Sequence, residues 1–299
     1  SFGEKVLVIL LDEAVMEQFP CRSPVPRGML ARLIQITSDS GAKLIGLDIF
    51  LKNLTSGDED RELSLSIKKS GRVVLVSALR EKDGGLRLDM PSDRSLDAAL
   101  ATGLAILPIN PMDQRVRELQ AYQKVEVQIV PALSTSLFLI EHGGESLPSE
   151  HVNMDTFSEK WLQMKLNARR RIFINFHWSP STAAVEKNVL RTLPDSAVLT
   201  GLVQKEWFQD QIVLIGAGFP DNLDAYRTPF YSSRFNYALM PGIEIHANSL
   251  ATILSGKTIP SLNPISSLAI LLFFFFLVTI ERRFNTMIRS RRGGDGPPG

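Results

Sequence analysis

An uncharged stretch of 23 residues lies between Lys257 and Glu281, and it constrains this chain more than any other feature. Its centre, residues 265–280, has the sequence ISSLAILLFFFFLVTI, in which only serine and threonine interrupt the apolar run. Four consecutive phenylalanines leave no polar face for a helix on the surface of a soluble domain. The stretch therefore predicts a transmembrane helix at residues 261–281.

The flanks of this helix predict its length and its orientation. Sixteen helical residues reach roughly 24 Å, and Pro264 at the first position together with snorkelling Arg282 and Arg283 extends this towards a bilayer core of about 30 Å. Short arginine-rich flanks resist translocation, which predicts a basic cytoplasmic tail at residues 282–299. Residues 1–260 would then form one domain on the periplasmic or extracellular side of the cell membrane.

Both ends of the sequence indicate a fragment of a longer polypeptide. The first residues, Ser1 to Lys5, contain no hydrophobic export signal, so we expect a signal or anchor helix upstream. The basic tail is too short to form a cytoplasmic effector, so we expect the natural chain to continue beyond it.

Composition excludes several classes of function. Lys and Arg number 33 against 32 acidic residues, and the basic excess lies in the tail, so a nucleic-acid partner is not expected. The single cysteine, Cys21, excludes an intrachain disulfide framework and a multi-cysteine metal site. The four histidines are scattered, and we predict neither a metal site nor a cofactor.

Apolar runs alternate with helical patterns along most of the first 260 residues. Residues 5–11, 42–50, 72–79 and 212–218 are continuous or β-branched apolar runs typical of buried strands. Residues 29–41 follow the first run with helical spacing and end at a glycine. We therefore predict an α/β fold with a mostly parallel mixed sheet flanked by helices, beginning with a βαβ unit.

Other segments give less regular patterns. We predict a surface excursion over residues 81–97, a hairpin with its clearest alternation at 125–130, and a strand at 170–178. Helices are expected over residues 131–144 and 198–211. Residues 242–256 are predicted to be a strand end followed by a helix that stops at Gly256, close to the membrane segment. No prediction is made for residues 145–168.

A possible dinucleotide motif, GAGFPD at residues 216–221, fails on inspection. Its third small position is occupied by Asp221, and prolines and aromatic residues follow where a helix should begin. A nicotinamide or flavin site is therefore not expected. The sequence also contains no phosphate-binding loop of the Walker type and no nucleophile elbow.

Charged residues near strand ends are the candidate ligand-binding residues. In open parallel sheets, ligands bind beyond the carboxyl ends of the strands, where these side chains could converge. The candidates are Asp12, Arg27, Asp48, Asp224, Arg227 and His246. A structural role is the alternative for each: the acids could accept backbone N–H bonds and lock loops, the arginines could neutralise them, and His246 could fix a loop. Arg169–Arg171 are predicted to be the solvated start of a strand.

Several segments of the chain, taken in their order along the sequence, resemble the CHASE2 family. The matching stretches are LVILLDE, PVPRGMLARLI, GAKLIGLDIF, NPMDQRVR, VPALSTSLFLI, DQIVLIGAGFPDNLDAYRTPF and PGIEIHANSLATILSG, which together span about 250 residues. Residue 11 is leucine and residues 19–24 are FPCRSP, where many family members carry a tryptophan-proline pair. Residues 145–168 match poorly.

The resemblance implies a non-enzymatic extracytoplasmic sensor domain of a bacterial transmembrane receptor, with a cyclase or kinase as the cytoplasmic effector. Its stimulus would be an unknown small molecule or protein, and we expect a homodimer. Two alternatives stay open. One is a membrane-anchored hydrolase that uses the strand-end carboxylates with a divalent metal, which requires at least two converging acids. The other is a dimerisation scaffold.

Overall fold

The computed structural model describes residues 5–17, 23–82, 84–126, 128–143, 171–181, 191–218, 224–231, 239–259 and 264–292. Its chain forms two compact units, Ser1–Ile259 and Pro260–Gly299. Cys21 and residues 145–168 lie outside the described residues.

The strands and helices alternate for most of the first unit. The strands are β1 (Val6–Leu11), β2 (Leu44–Asp48), β3 (Val73–Lys82), β4 (Gly85–Asp89), β5 (Ala101–Leu104), β6 (Glu118–Gln120), β7 (Tyr122–Val125), β8 (Gln128–Pro131), β9 (Arg171–Phe173), β10 (Thr192–Pro194), β11 (Ile212–Ala217), β12 (Ala225–Tyr226) and β13 (Met240–Pro241). The helices are α1 (Glu13–Met16), α2 (Arg27–Asp39), α3 (Gly57–Ser70), α4 (Asp93–Leu96), α5 (Leu133–Glu141), α6 (Asp195–Leu199), α7 (Gly242–Ser255) and α8 (Pro264–Arg292).

Within the described residues, seven strands form the main sheet. Its order is β10-β1-β11-β2-β3, and β3 also pairs with β5 and β4. All of these pairs are parallel except β3 with β4, which form an antiparallel hairpin. The predicted α/β class with a mostly parallel mixed sheet is confirmed.

Alternation along the strands gives the sheet two apolar faces. Leu7, Ile9 and Leu11 of β1 pack on one face with the side chains of α2 and α3. Val6 and Val8 pack on the other face with α5 and α7. Because successive strand residues point to opposite faces, the continuous apolar run of β1 can fill both layers. We call these two layers the α2/α3 face and the α5/α7 face.

Three predictions for this unit were wrong in detail. β11 is inserted between β1 and β2, so the two strands of the predicted βαβ unit are parallel but not neighbours. The predicted surface excursion at 81–97 contains the strand β4 and the helix α4. The predicted helix at 198–211 is interrupted, because Gly201 adopts a φ of 74° after α6 and only a short 3-10 helix follows at Lys205–Trp207.

The second unit contains the long helix α8. Ile265–Asn285, 21 residues with a mean hydropathy of 2.0, could cross a membrane by length and composition. No part of this apolar stretch is buried within the protein, and the four phenylalanines at 273–276 are exposed. The helix predicted from the uncharged stretch is confirmed, and Pro264 is its first residue.

Candidate functional site

The connections of the main sheet change direction at β11. The chain leaves β1 and β2 towards α2 and α3 on one face, whereas it leaves β11 towards α7 on the opposite face. In open parallel sheets such a reversal opens a crevice beyond the carboxyl ends of the strands, and ligands bind there. We call this position, between the ends of β2 and β11, the switch point.

Asp48 and Asp224 meet at the switch point. Asp48 ends β2 and lies opposite Gly216 of β11, and its place in the alternation of β2 puts it on the α5/α7 face. Asp224 lies against the first residue of α7: the Gly242 N–H donates to the Asp224 backbone oxygen at 2.9 Å. A side chain at residue 242 would collide with the Asp224 carboxylate, so glycine is required for this close approach.

The two carboxyls are electrostatically coupled. Burial, followed by the charge of Asp224, raises the pKa of Asp48 to about 8. Burial also raises the pKa of Asp224, although a hydrogen bond with Tyr226 opposes that shift. The same burial and the neighbouring carboxylates raise the pKa of the Tyr226 phenol. At neutral pH the pair therefore retains a proton.

A second carboxylate pair, Asp12 with Asp195, lies at the ends of β1 and β10 and has a different environment. Asp12 accepts hydrogen bonds from Val15 N at 2.9 Å and from Ser196 Oγ at 2.6 Å. Asp195 accepts the Asp12 N–H at 3.0 Å, and burial above all raises its pKa to about 6. These bonds favour the structural interpretation of Asp12, as the cap of α1 and a lock between two loops.

The two candidate arginines lie in different surroundings. Arg27 is 3% exposed, and its Nε lies 3.6 Å from the carboxylate of Asp60 while Nη2 donates to Asn53 O at 3.3 Å. It therefore holds the loop before α3. Arg227 is exposed, and its guanidinium lies 4.9 Å from the ring centroid of Tyr231.

His246 is buried inside α7. It is 2% exposed, and its Nδ1 has no hydrogen-bond partner among the described residues. Burial lowers the pKa of its ring to about 4, so the imidazole is neutral at physiological pH. Its burial supports a packing role and places it away from free solvent.

Sequence reasoning missed a row of polar side chains along α7. Glu244, Asn248 and Thr252 are buried and are spaced one helical turn apart, on one side of the helix. They accept backbone N–H bonds from Ser181, Trp178 and Asn175 respectively, each at 3.1 Å. This row, which we call the α7 ladder, takes the place of a strand partner for these three backbone amides. The signal was present as three polar residues at intervals of four in an apolar helix.

The ladder explains why the strand predicted at 170–178 is short. Only β9, Arg171–Phe173, pairs with another strand, and the chain then continues along α7. Burial raises the pKa of Glu244, although its hydrogen bonds with Ser181 partly offset that effect. Because these backbone amides have no strand partner, each lost ladder side chain would leave a buried donor unpaired.

The described residues contain no group of three or more His, Cys, Asp or Glu side chains placed to hold a metal ion. Asp12 and Asp48 instead associate with different carboxylates, Asp195 and Asp224. The metal-dependent hydrolase therefore has no three-ligand site in this part of the chain. The structure brings Asp48 together with Asp224, while Asp12, Arg27 and Arg227 have other neighbours.

Comparison with known families supplies the remaining observation. The model of the CHASE2 domain matches residues 1–280, which is nearly the whole chain. This chain belongs to the CHASE2 family. CHASE2 is a family of extracytoplasmic sensory domains, and the matched range includes both the α/β unit and most of the apolar helix α8. Comparison of this CHASE2 chain with curated proteins and with solved structures gives no match.

Proposed function

We propose that this CHASE2 domain is the input domain of a bacterial membrane receptor. Residues 1–260 lie on the periplasmic or extracellular side, and the tail after Arg282 and Arg283 lies in the cytoplasm. A stimulus changes the arrangement of the domain, most simply within a homodimer. The change passes through the membrane helix to a cyclase or kinase effector further along the polypeptide.

The observation that carries this proposal is the position of α7 in the chain. Its first residue, Gly242, lies against Asp224 at the switch point. Thirteen of its fourteen residues are buried, and it contacts β1, β11 and α5. Only eight residues, 256–263, separate the end of α7 from Pro264 of α8. One helix therefore connects the candidate ligand site with the apolar helix along the sequence.

This connection provides a physical route for a signal. A buried helix packed on all sides cannot shift without repacking its neighbours, because protein interiors are close-packed. A ligand that prefers one of two arrangements of α7 shifts the population of those arrangements by its differential affinity. A short connection would pass that displacement on to α8, whereas a long flexible one would absorb it.

The test is a flexible insertion in the intact parent receptor. A Gly/Ser insert of about 12 residues, spanning roughly 20 Å, is placed within residues 257–263. The control receptor carries the same insert between Gly84 and Gly85, two exposed residues of the β3–β4 hairpin. We expect the first insertion to abolish the response of the effector to the stimulus and the control insertion to preserve it. An unchanged response with the first insertion would contradict transmission through α7 and α8.

Substitutions at the switch point separate a sensor from a dimerisation scaffold. Asp48→Asn removes the titratable group of the coupled pair and keeps its size. We expect the folded variant to lose most of the stimulus response while its dimerisation is unchanged. A scaffold would keep the response, since dimerisation alone would support its output.

A further inference from the structure

Four arginine side chains from three distant chain segments come together outside the switch point. Arg115 and Arg117 precede β6, Arg171 begins β9, and Arg227 follows β12. The pairing of β6 with β9 brings the first two segments together. An isolated bridge between Arg115 and Arg227 brings in the third segment. We call these four residues the arginine cluster.

Three members of the arginine cluster line a small pocket. Its volume is about 180 Å³, roughly that of six water molecules. The lining includes Asn110, Arg115, Arg117, Glu118, Arg171 and Phe173. The three arginine side chains are 26 to 34% exposed, so their guanidinium groups remain accessible to a solute. The pocket fits a small solute and is too small for a nucleotide or a drug-sized ligand.

Two carboxylates of the described residues, Asp113 and Glu118, lie beside the arginine cluster. Asp113 accepts two hydrogen bonds from Arg117, and its Oδ2 also lies 3.8 Å from Arg115 Nε. Glu118 lies 3.3 Å from Arg171 Nη1. Among the described residues, these two carboxylates and the four guanidinium groups sum to a net charge of +2. This local excess contrasts with residues 1–280, whose net charge is −2.

Arg115 and Arg227 also share one aromatic ring. Their guanidinium carbons lie 5.8 Å and 4.9 Å from the ring centroid of Tyr231. Arg115 Nη1 donates to Thr228 O at 3.0 Å, which fixes the position of its guanidinium. The fold therefore holds cationic groups close together, and their mutual repulsion falls when an anion enters between them.

We propose that this pocket binds a small oxyanion, carrying carboxylate or phosphate oxygens. Guanidinium groups present parallel N–H donors that match such oxygens, and Asn110 adds an amide at the rim. The role of this anion as the natural stimulus of the sensor rests on the proposed function. Its binding does not, because binding is measured without any effector. A self-contained ion-pair network that only fixes the loops is the competing explanation.

The test uses calorimetric titration of the full 299-residue chain in detergent. Inorganic phosphate and succinate are titrated separately at constant ionic strength, with chloride as the background anion. We expect saturable binding of one molecule per chain for at least one of the two probes. The arm that saturates identifies phosphate or carboxylate as the recognised group. Saturation in neither arm would overturn the proposal.

Variants locate the binding and exclude a merely structural role. Arg115→Gln and Arg171→Gln should each weaken binding at least about tenfold, because each removes charge-assisted hydrogen bonds. Asp113→Asn should tighten binding several-fold, because it removes a carboxylate that competes for Arg117. The control, Arg80→Gln, alters an exposed arginine that pairs with Asp89 on the β3–β4 hairpin, and should change nothing.

Retained affinity in the folded Arg115→Gln and Arg171→Gln variants would overturn the proposal. Should either variant fail to fold, Asp113→Asn decides, because an ion-pair network alone predicts no gain in affinity. The insertion test of the proposed function is independent of this titration. If the chain binds the anion but the receptor with the insertion keeps its response, transmission through α7 and α8 is refuted and the oxyanion site is not.

Discussion

The two faces of the main sheet have the same topology of helices on strands but a different chemistry. On the α2/α3 face, the core is mostly aliphatic with Phe208 among its members, and the buried ion pair of Arg27 with Asp60 fixes a loop. The other buried polar residues of α2 and α3 are Thr37 and Ser64. On the α5/α7 face, apolar packing is combined with buried polar groups. These are Ser134, Thr135, Ser136, Glu244, His246, Asn248, Ser249 and Thr252. The helices α5 and α7 thus bury eight polar residues, against four in α2 and α3.

The α5/α7 face also packs closer to the sheet. Gly46, Gly103 and Gly216 lie where a side chain would collide with residues of α5 or α7. Asp48, Asp224 and His246, whose pKa values are shifted by burial, belong to this face or to its edge at the switch point. If the domain senses a stimulus as proposed, we expect the rearrangement to involve the α5/α7 face.

The largest expected effect comes from breaking the close approach. In Gly103→Ala the new Cβ would lie 2.6 Å from Leu133 Cα, a backbone atom that cannot move without α5. We expect the free energy of unfolding to fall by about 3 kcal/mol, measured by chemical denaturation. The control is Gly85→Ala, whose Cβ would lie 3.8 Å from Lys82 O on an exposed hairpin. It should change stability by less than about 0.5 kcal/mol, and equal losses would mean that the α5/α7 face is not tightly packed.

A smaller effect is expected from the α7 ladder. Thr252→Val keeps the shape of the side chain but leaves the Asn175 N–H without its acceptor. The loss should be about 1 to 2 kcal/mol, with faster hydrogen exchange of the Asn175 amide. Thr200→Val is the matched control, because that exposed hydroxyl bonds only to carbonyls of its own turn. Unchanged exchange at Asn175 would show that the ladder does not hold this segment.

At neutral pH the switch point should give the smallest change, and its effect should become visible through its pH dependence. The pKa of Asp48 rises from 3.8 to about 8 on folding, so between these values the folded protein binds more protons than the unfolded chain. Stability therefore falls as the pH rises through this window. Asp48→Asn removes the part of that dependence that comes from Asp48, and above about pH 9 its melting temperature should exceed that of the parent by at least about 2 °C.

The matched control for this titration is Asp12→Asn, which changes a carboxylate at the same edge of the sheet. Its carboxylate accepts bonds from Val15 N and Ser196 Oγ, and its loss should lower stability instead of raising it. A lower melting temperature for Asp48→Asn at alkaline pH would contradict the coupled pair.

Local sequence patterns predicted where strands and helices form but not which strands are adjacent in the sheet. The apolar runs of β1, β2 and β11 and the uncharged stretch of α8 were sufficient to place those elements. The insertion of β11 between β1 and β2 depends on packing across some 170 residues of sequence, which no local pattern contains. The break after α6 depends on a single glycine, Gly201, within an otherwise helical pattern.

The candidate site was predictable only in part. Acids at the carboxyl ends of parallel strands were expected near one another, and Asp48 with Asp224 follows that expectation. Tertiary contacts place Asp195 beside Asp12 and Asp60 beside Arg27, and no local sequence pattern contains those contacts. Arg171 was expected to be solvated, yet the pairing of β9 with β6 places it in the lining of the pocket.

The measurement that tests the account most directly is the side of the membrane on which the α/β unit lies. In the parent polypeptide with Cys21→Ser, single cysteines are introduced by Arg87→Cys, at an exposed position of β4, and by Ser290→Cys, beyond the apolar stretch. A thiol reagent that cannot cross bilayers should label the cysteine at position 87 in intact spheroplasts, and the one at 290 only after permeabilisation. The reverse pattern would contradict an extracytoplasmic sensor.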